Sequence, residues 1–140
     1  MTVQSSTPLR VLVVDDYALI RRGMLVMCQT VGDCDVVGEA ENGAQAVMLA
    51  IRLRPDVVLM DVRMPMLDGI EATRLIRTAL PETAVLILTG LEDPSLQQTA
   101  MRAGARGFLR KDELTEALLA QAFSVIRTGG SFSTSEYLHN

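Results

Sequence analysis

The sequence predicts an α/β domain of the (βα)5 kind, a doubly wound parallel sheet of five strands with helices on both faces. Three observations carry this. Short apolar, β-branched runs recur along the 140 residues. Helical patterns of ten or more residues lie between them. The runs are apolar throughout rather than alternating, as strands covered on both faces must be.

The first run, Leu9 to Val14, is followed by Ile20, Met24, Met27 and Val31 at helical spacing. Asp35 to Gly38 is the second strand. The stripe Ala44, Val47, Met48 and Ile51 follows it, opened by Asn42 and Gln45 as a capping box. Val57 to Met60 is the third strand, and a weaker helical pattern with Ile70, Ile76 and Leu80 runs from about Asp68 to Leu80. Val85 to Leu88 precedes a helix begun by Asp93-Pro94, an N-cap before a proline at the first helical position, with Leu96, Ala100 and Ala103 inward. Gly107 to Leu109 is the fifth strand. Leu114, Leu118, Ala122 and Val125 mark the last helix, with Asp112 as its expected cap and Gly129-Gly130 as its end. The reading is one domain over residues 9–128, a loose polar segment at 1–8, and a tail or the start of a linker at 129–140.

Composition narrows the function. Hydrophobic residues are 49% and charged residues 21%, the range of a folded globular domain. A net charge of −4 does not favour a nucleic-acid-binding surface. The apolar runs are too short to span a bilayer, and residues 1–10 lack the basic start and apolar stretch of a signal peptide, so the expected setting is cytoplasmic with no membrane partner. Cys28 and Cys34 have neither CxxC nor metal-ligand spacing, and no disulfide is expected. Twelve of the thirteen basic residues are arginine. The one lysine is Lys111.

Ligands of open parallel sheets bind beyond the carboxyl ends of the strands. Asp15 and Asp16 follow the first strand, Asp61 the third, Thr89 the fourth and Lys111 the fifth. Glu39, after the second, is not placed in the site. Taken singly, Asp15-Asp16 also suits a helix N-cap, Asp61 and Thr89 suit turns, and Lys111 suits a solvated surface charge. Taken together, three converging carboxylates need a counter-ion, and a hard divalent cation supplies one. Asp15 and Asp16 would hold the cation. Asp61, central in the sheet, would be the nucleophile toward phosphorus, Thr89 a hydrogen-bond donor to a phosphoryl oxygen, and Lys111 a point charge on another.

At these residues the sequence resembles the response-regulator receiver family, NarL/FixJ type. The matching stretches are Val11 to Asp16, Pro55 to Pro65 with Asp68-Gly69, Leu86 to Gly90 and Gly104 to Lys111. Asp16 to Gly23, Val36 to Ala40 and Arg110 to Asp112 point to the NarL/FixJ type. The resemblance implies the flavodoxin-like strand order 2-1-3-4-5 and transfer of a phosphoryl group from a histidine kinase to Asp61. It implies Mg2+, or Mn2+ in its place, on Asp15, Asp16, Asp61 and the backbone carbonyl of Arg63. Thr89 and Phe108 match the switch pair, with Thr89 drawn to the phosphate and Phe108 turning inward. It further implies homodimerisation on phosphorylation, and DNA binding only through a C-terminal helix-turn-helix domain beyond this chain. Arg21 and Arg22 on the first helix read as a solvated face or as charge for kinase docking. Arg63 and Leu91 vary in the family and lie on the route of the hydrolytic water, which suggests slow self-hydrolysis. The alternatives are a phosphorylation-independent pseudo-receiver, against which the complete residue set speaks, and a flavodoxin-like ligand carrier, which would not put two acids in its phosphate loop.

Overall fold

The structure is a computed structural model and describes residues 7–90 and 93–133. Its strands are β1 (Leu9–Val14), β2 (Cys34–Ala40), β3 (Val57–Asp61), β4 (Ala84–Thr89), β5 (Gly107–Arg110) and β6 (Phe132–Ser133). Its helices are α1 (Ala18–Val31), α2 (Gly43–Leu53), α3 (Gly69–Ala79), α4 (Pro94–Arg102) and α5 (Glu116–Arg127). All strands are parallel, in the order β2-β1-β3-β4-β5-β6. The expected order 2-1-3-4-5 is present, and the five-stranded expectation is corrected by β6. Gly107 pairs with Phe132 and Phe108 with Ser133, so part of the expected tail continues the sheet. Of the segment 1–8, residues 1–6 lie outside the described residues, and the carbonyl of Thr7 accepts a hydrogen bond from Arg127 Nη1.

Strand side chains divide the core. Leu12, Val14, Val58, Met60, Val85, Ile87 and Phe108 face α2, α3 and α4, where Ala46, Ala50, Ala72, Ile76 and Ala100 meet them. Leu9, Val11, Val13, Val57, Leu59, Leu86, Leu88 and Leu109 face α1 and α5, against Met24, Cys28, Leu119, Ala122, Phe123 and Ile126. Both faces are covered, which is why the central strands need no polar alternation.

Two helix stripes differ from expectation. In α2 the buried face is Gly43, Ala46 and Ala50, while Ala44, Met48 and Ile51 are exposed. The helix lies close on its neighbours through small residues, with Val47, Leu49 and Leu53 packed at the margin and Met48 and Ile51 turned outward. In α5 the buried line is Leu119, Ala122, Phe123 and Ile126, with Leu114, Leu118 and Val125 at its margin. Asn42 caps α2 as expected, accepting from the Gln45 N–H at 2.8 Å, and Asp93 caps α4. Asp112 does not cap α5. It lies in a short 3-10 turn, Lys111–Glu113, and Thr115 accepts from the Leu118 N–H at 3.1 Å instead. Cys28 and Cys34 are free thiols.

The turn after β3 sets the position of Asp61. Asp68 caps α3 by accepting from the Glu71 N–H at 2.9 Å, and Gly69 N–H donates to the Val62 carbonyl at 2.8 Å. A Cβ on Gly69 would stand 1.9 Å from the Asp61 carbonyl oxygen. Backbone meets backbone there, and no side chain can give way. Gly69→Ala is therefore expected to cost about 1–3 kcal/mol, the usual range for overpacking, measured by urea unfolding.

Candidate functional site

The sheet changes its winding direction at β1, which has β2 on one side and β3 on the other. The carboxyl ends of β1 and β3 open a crevice there, the usual ligand position in such sheets. Asp15 leaves β1 and Asp61 ends β3, 3% and 7% exposed. Asp16 is exposed beside them. One carboxylate oxygen from each of the three lies within 4.8 Å of the others.

Lys111, directly after β5, reaches back across the sheet. Its Nζ donates to Asp15 Oδ2 at 2.7 Å and pairs with Asp61 Oδ1 at 3.1 Å. Asp15 Oδ1 accepts from the Tyr17 N–H at 3.0 Å. Neither aspartate at the turn caps α1; Tyr17 occupies the N-cap position without a side-chain hydrogen bond. Thr89, at the end of β4, is buried. A cleft of about 470 Å3 is lined by Asp15, Asp16, Asp61, Arg63, Thr89 and Lys111, together with Tyr17, Ile20 and Gly90. Six of the seven expected residues thus share one rim. Tyr17 and Ile20 join them unannounced, because nothing in their residue types marks them as lining a polar site.

Phe108 is the seventh, and it is elsewhere. It is 4% exposed and packed in the core on the α2, α3 and α4 face. The inward ring position expected after switching is already the one seen. Leu91 lies outside the described residues. Arg63 is exposed and also lines a second opening with Asp16, Val62, Met64 and Asp68.

The electrostatics follow from burial. Removal from water raises the Asp61 pKa; the Lys111 charge opposes this and the Asp15 charge reinforces it, leaving Asp61 above the ordinary 3.8. Burial would depress Lys111, but its hydrogen bonds and its attraction to Asp15 and Asp61 prevail, leaving it above the ordinary 10.5. Three acids against one ammonium leave two formal negative charges uncompensated, and all the donors are hard oxygens. The set fits a small divalent cation.

A family model described as the response regulator receiver domain matches residues 11–123. The chain belongs to the response regulator receiver family. It is 37% identical over 122 residues to the transcriptional regulatory protein LnrK of Bacillus subtilis, covering 87% of this chain and 55% of that protein. It is 40% identical over 114 residues to the response regulator GacA of Pseudomonas aeruginosa, covering 79% and 53%. The chain spans about half the length of these curated relatives. Among solved structures it resembles a LuxR-family two-component response regulator from Aurantimonas sp., at 31% identity and a TM-score of 0.87, covering 94% of both chains. It also resembles the signal receiver domain of NarL from Mycobacterium tuberculosis, at 36% identity and a TM-score of 0.82, covering 89% of this chain and 99% of that one. Receiver domains of this family are phosphorylated on an aspartate and bind Mg2+ at an acidic pocket. Among the described residues, no helix of this receiver domain is long and apolar enough to cross a membrane.

The raised pKa of Asp61 has a consequence for stability. Its ionised form is disfavoured by the fold, so its ionisation costs stability at pH values above its folded-state pKa. That cost fades as pH falls toward 3.8, the ordinary aspartate value. Asp61→Asn is expected to raise the urea midpoint at pH 7 in the presence of a chelator. The advantage should narrow steadily as the same measurement is taken toward pH 4.

Proposed function

We propose that this receiver domain takes a phosphoryl group on Asp61 from the phosphohistidine of a cognate histidine kinase and passes the change of charge to a transcriptional output. The observation that carries the reading is the meeting of three carboxylates, one lysine and one threonine at a single rim, from the ends of four different strands.

An Asp61 carboxylate oxygen forms the new bond to phosphorus as the P–N bond of the phosphohistidine breaks, and the imidazole keeps the electron pair and takes up a proton. Asp15, Asp16 and Asp61, with the backbone carbonyl of Arg63, are the residues that would hold Mg2+, or Mn2+ in its place. When bound, the cation supplies Lewis-acid neutralisation of phosphoryl charge. Lys111 is poised to exchange a carboxylate contact for a phosphoryl oxygen, and Thr89 is the hydroxyl at the same rim that can donate to another. Thr89 and Phe108 form the switch pair, coupling this rim to the face of α4, β5 and α5. Since Phe108 is already inside, movement of Thr89 toward the phosphate is the step that carries the signal.

The chemistry is confined to the domain's own aspartate, with no separate substrate turned over. Arg63, on the open side of the cleft, shields the phosphate from water, which suits slow self-hydrolysis. Phosphorylation promotes pairing of two copies, and DNA is contacted through a helix-turn-helix domain outside this chain. The names of relatives such as LnrK support this transcriptional reading. The setting is cytoplasmic, where the kinase presents its phosphohistidine.

Acetyl phosphate with Mg2+, followed by intact mass, tests the assignment. The wild type is expected to gain one phosphoryl group and Asp61→Asn none. Lys111→Ala is expected to slow labelling by about 100-fold, a typical loss for one electrostatic contact to a developing charge. Equal labelling of wild type and Asp61→Asn would refute the site.

A further inference from the structure

The geometry points to Arg21 as the positioning residue of the Asp15-Asp16 turn, held to that task by Glu39 of the neighbouring strand. The inference rests on the proposed cation site and extends it to two residues that composition alone would leave on the surface.

Arg21 lies in the first turns of α1 with only 17% of its side chain exposed. Its Nη1 donates to the backbone carbonyl of Asp15 at 2.7 Å, and its Nε donates to Glu39 Oε1 at 3.1 Å. Glu39 stands in register with Val13, and the next residue, Ala40, accepts the Asp15 N–H at 3.1 Å. The end of β2 therefore grips Asp15 twice, once through Ala40 and once through the Glu39–Arg21 pair. With Tyr17 N–H on Oδ1 and Lys111 on Oδ2, every polar group of Asp15 is fixed.

This matters because β1 ends at Val14 and α1 begins at Ala18 with no side-chain cap. The intervening turn carries two of the three acids and little other restraint. Partners that orient a metal ligand govern affinity even though they never touch the metal. A guanidinium beside the turn also offsets the mutual repulsion of the acids. Arg22, the next residue, is exposed.

Direct Mn2+ binding, followed by electron paramagnetic resonance on the full chain, tests this, with urea unfolding as a check on folding. Arg21→Ala is expected to weaken Mn2+ binding by about 10-fold, the lower end of the losses seen for orienting partners of metal ligands, and Glu39→Ala, one contact further from the turn, by less, about threefold. Arg21→Lys is expected to restore part of the affinity, and Arg22→Ala to match the wild type. The Mg2+ concentration giving half-maximal labelling by acetyl phosphate should rise in the same order, while the extent of labelling at saturating Mg2+ is kept. Affinities of Arg21→Ala and Glu39→Ala within about twofold of wild type, a change too small for an orienting role, would overturn the inference. Should Arg21→Ala fail to fold, Glu39→Ala decides by the same criterion. Loss of kinase-driven labelling in Arg21→Ala with unchanged Mn2+ affinity would assign Arg21 to kinase docking instead. A wild type that binds no Mn2+, or an Asp61→Asn variant that is still labelled, would sink the underlying site reading and the inference with it.

Discussion

The ammonium of Lys111, set between Asp15 and Asp61, is the interaction on which the site depends. Two nearly buried carboxylates this close would repel in a medium that screens poorly, and burial alone already disfavours their charge. One compact cation touching both makes their convergence tolerable. The fold's contribution is to end four adjacent strands at one rim and place the acids at the point where winding reverses. Lys111 arrives from β5, two strands beyond β3, so the contact exists only when the whole sheet has formed in register.

That dependence explains why the backbone around the rim is tightly specified. Gly69 lets α3 begin against the Asp61 carbonyl. Gly43 does the same for α2, where a Cβ would stand 2.0 Å from the Leu67 carbonyl oxygen. Between them the turn from Val62 to Asp68 is folded onto α2 and β3 with no slack. Asp15 is held by hydrogen bonds to main chain as well as by charge, so its geometry does not rest on electrostatics alone.

Much of this was legible in the sequence. Each central strand ends in an apolar run of four or more residues (in β1 from Val11, after Arg10) that stops at a charged or hydroxylic residue, so both the sheet and the rim could be read from the same stretches. What escaped had physical reasons. The inner face of α2 is made of Gly43, Ala46 and Ala50, whose small size permits close approach but gives little hydropathy signal. Asp112 and Thr115 are both competent caps, and only the 3-10 turn at Lys111–Glu113 decides between them. The two-residue strand β6 is too short for any periodicity, and it forms because β5 offers an open edge and Gly107 admits the Phe132 carbonyl, which lies 3.1 Å from where its Cβ would be. The Arg21–Glu39 pair is long-range, 18 residues apart, and neither partner's type announces it.

Several arginines elsewhere clasp main-chain carbonyls. Arg77 donates to Gly104, Leu80, Pro81 and Thr83, and Arg106 to Gly130 and Ile126, work suited to a forked, planar group. With every arginine a guanidinium and no second lysine, a reagent that acylates amines has a single side-chain amine to meet in these 140 residues. That target is the nitrogen held as an ammonium between the two acids, so tagging this chain through lysine would be slow and, wherever it succeeded, would land on the working centre.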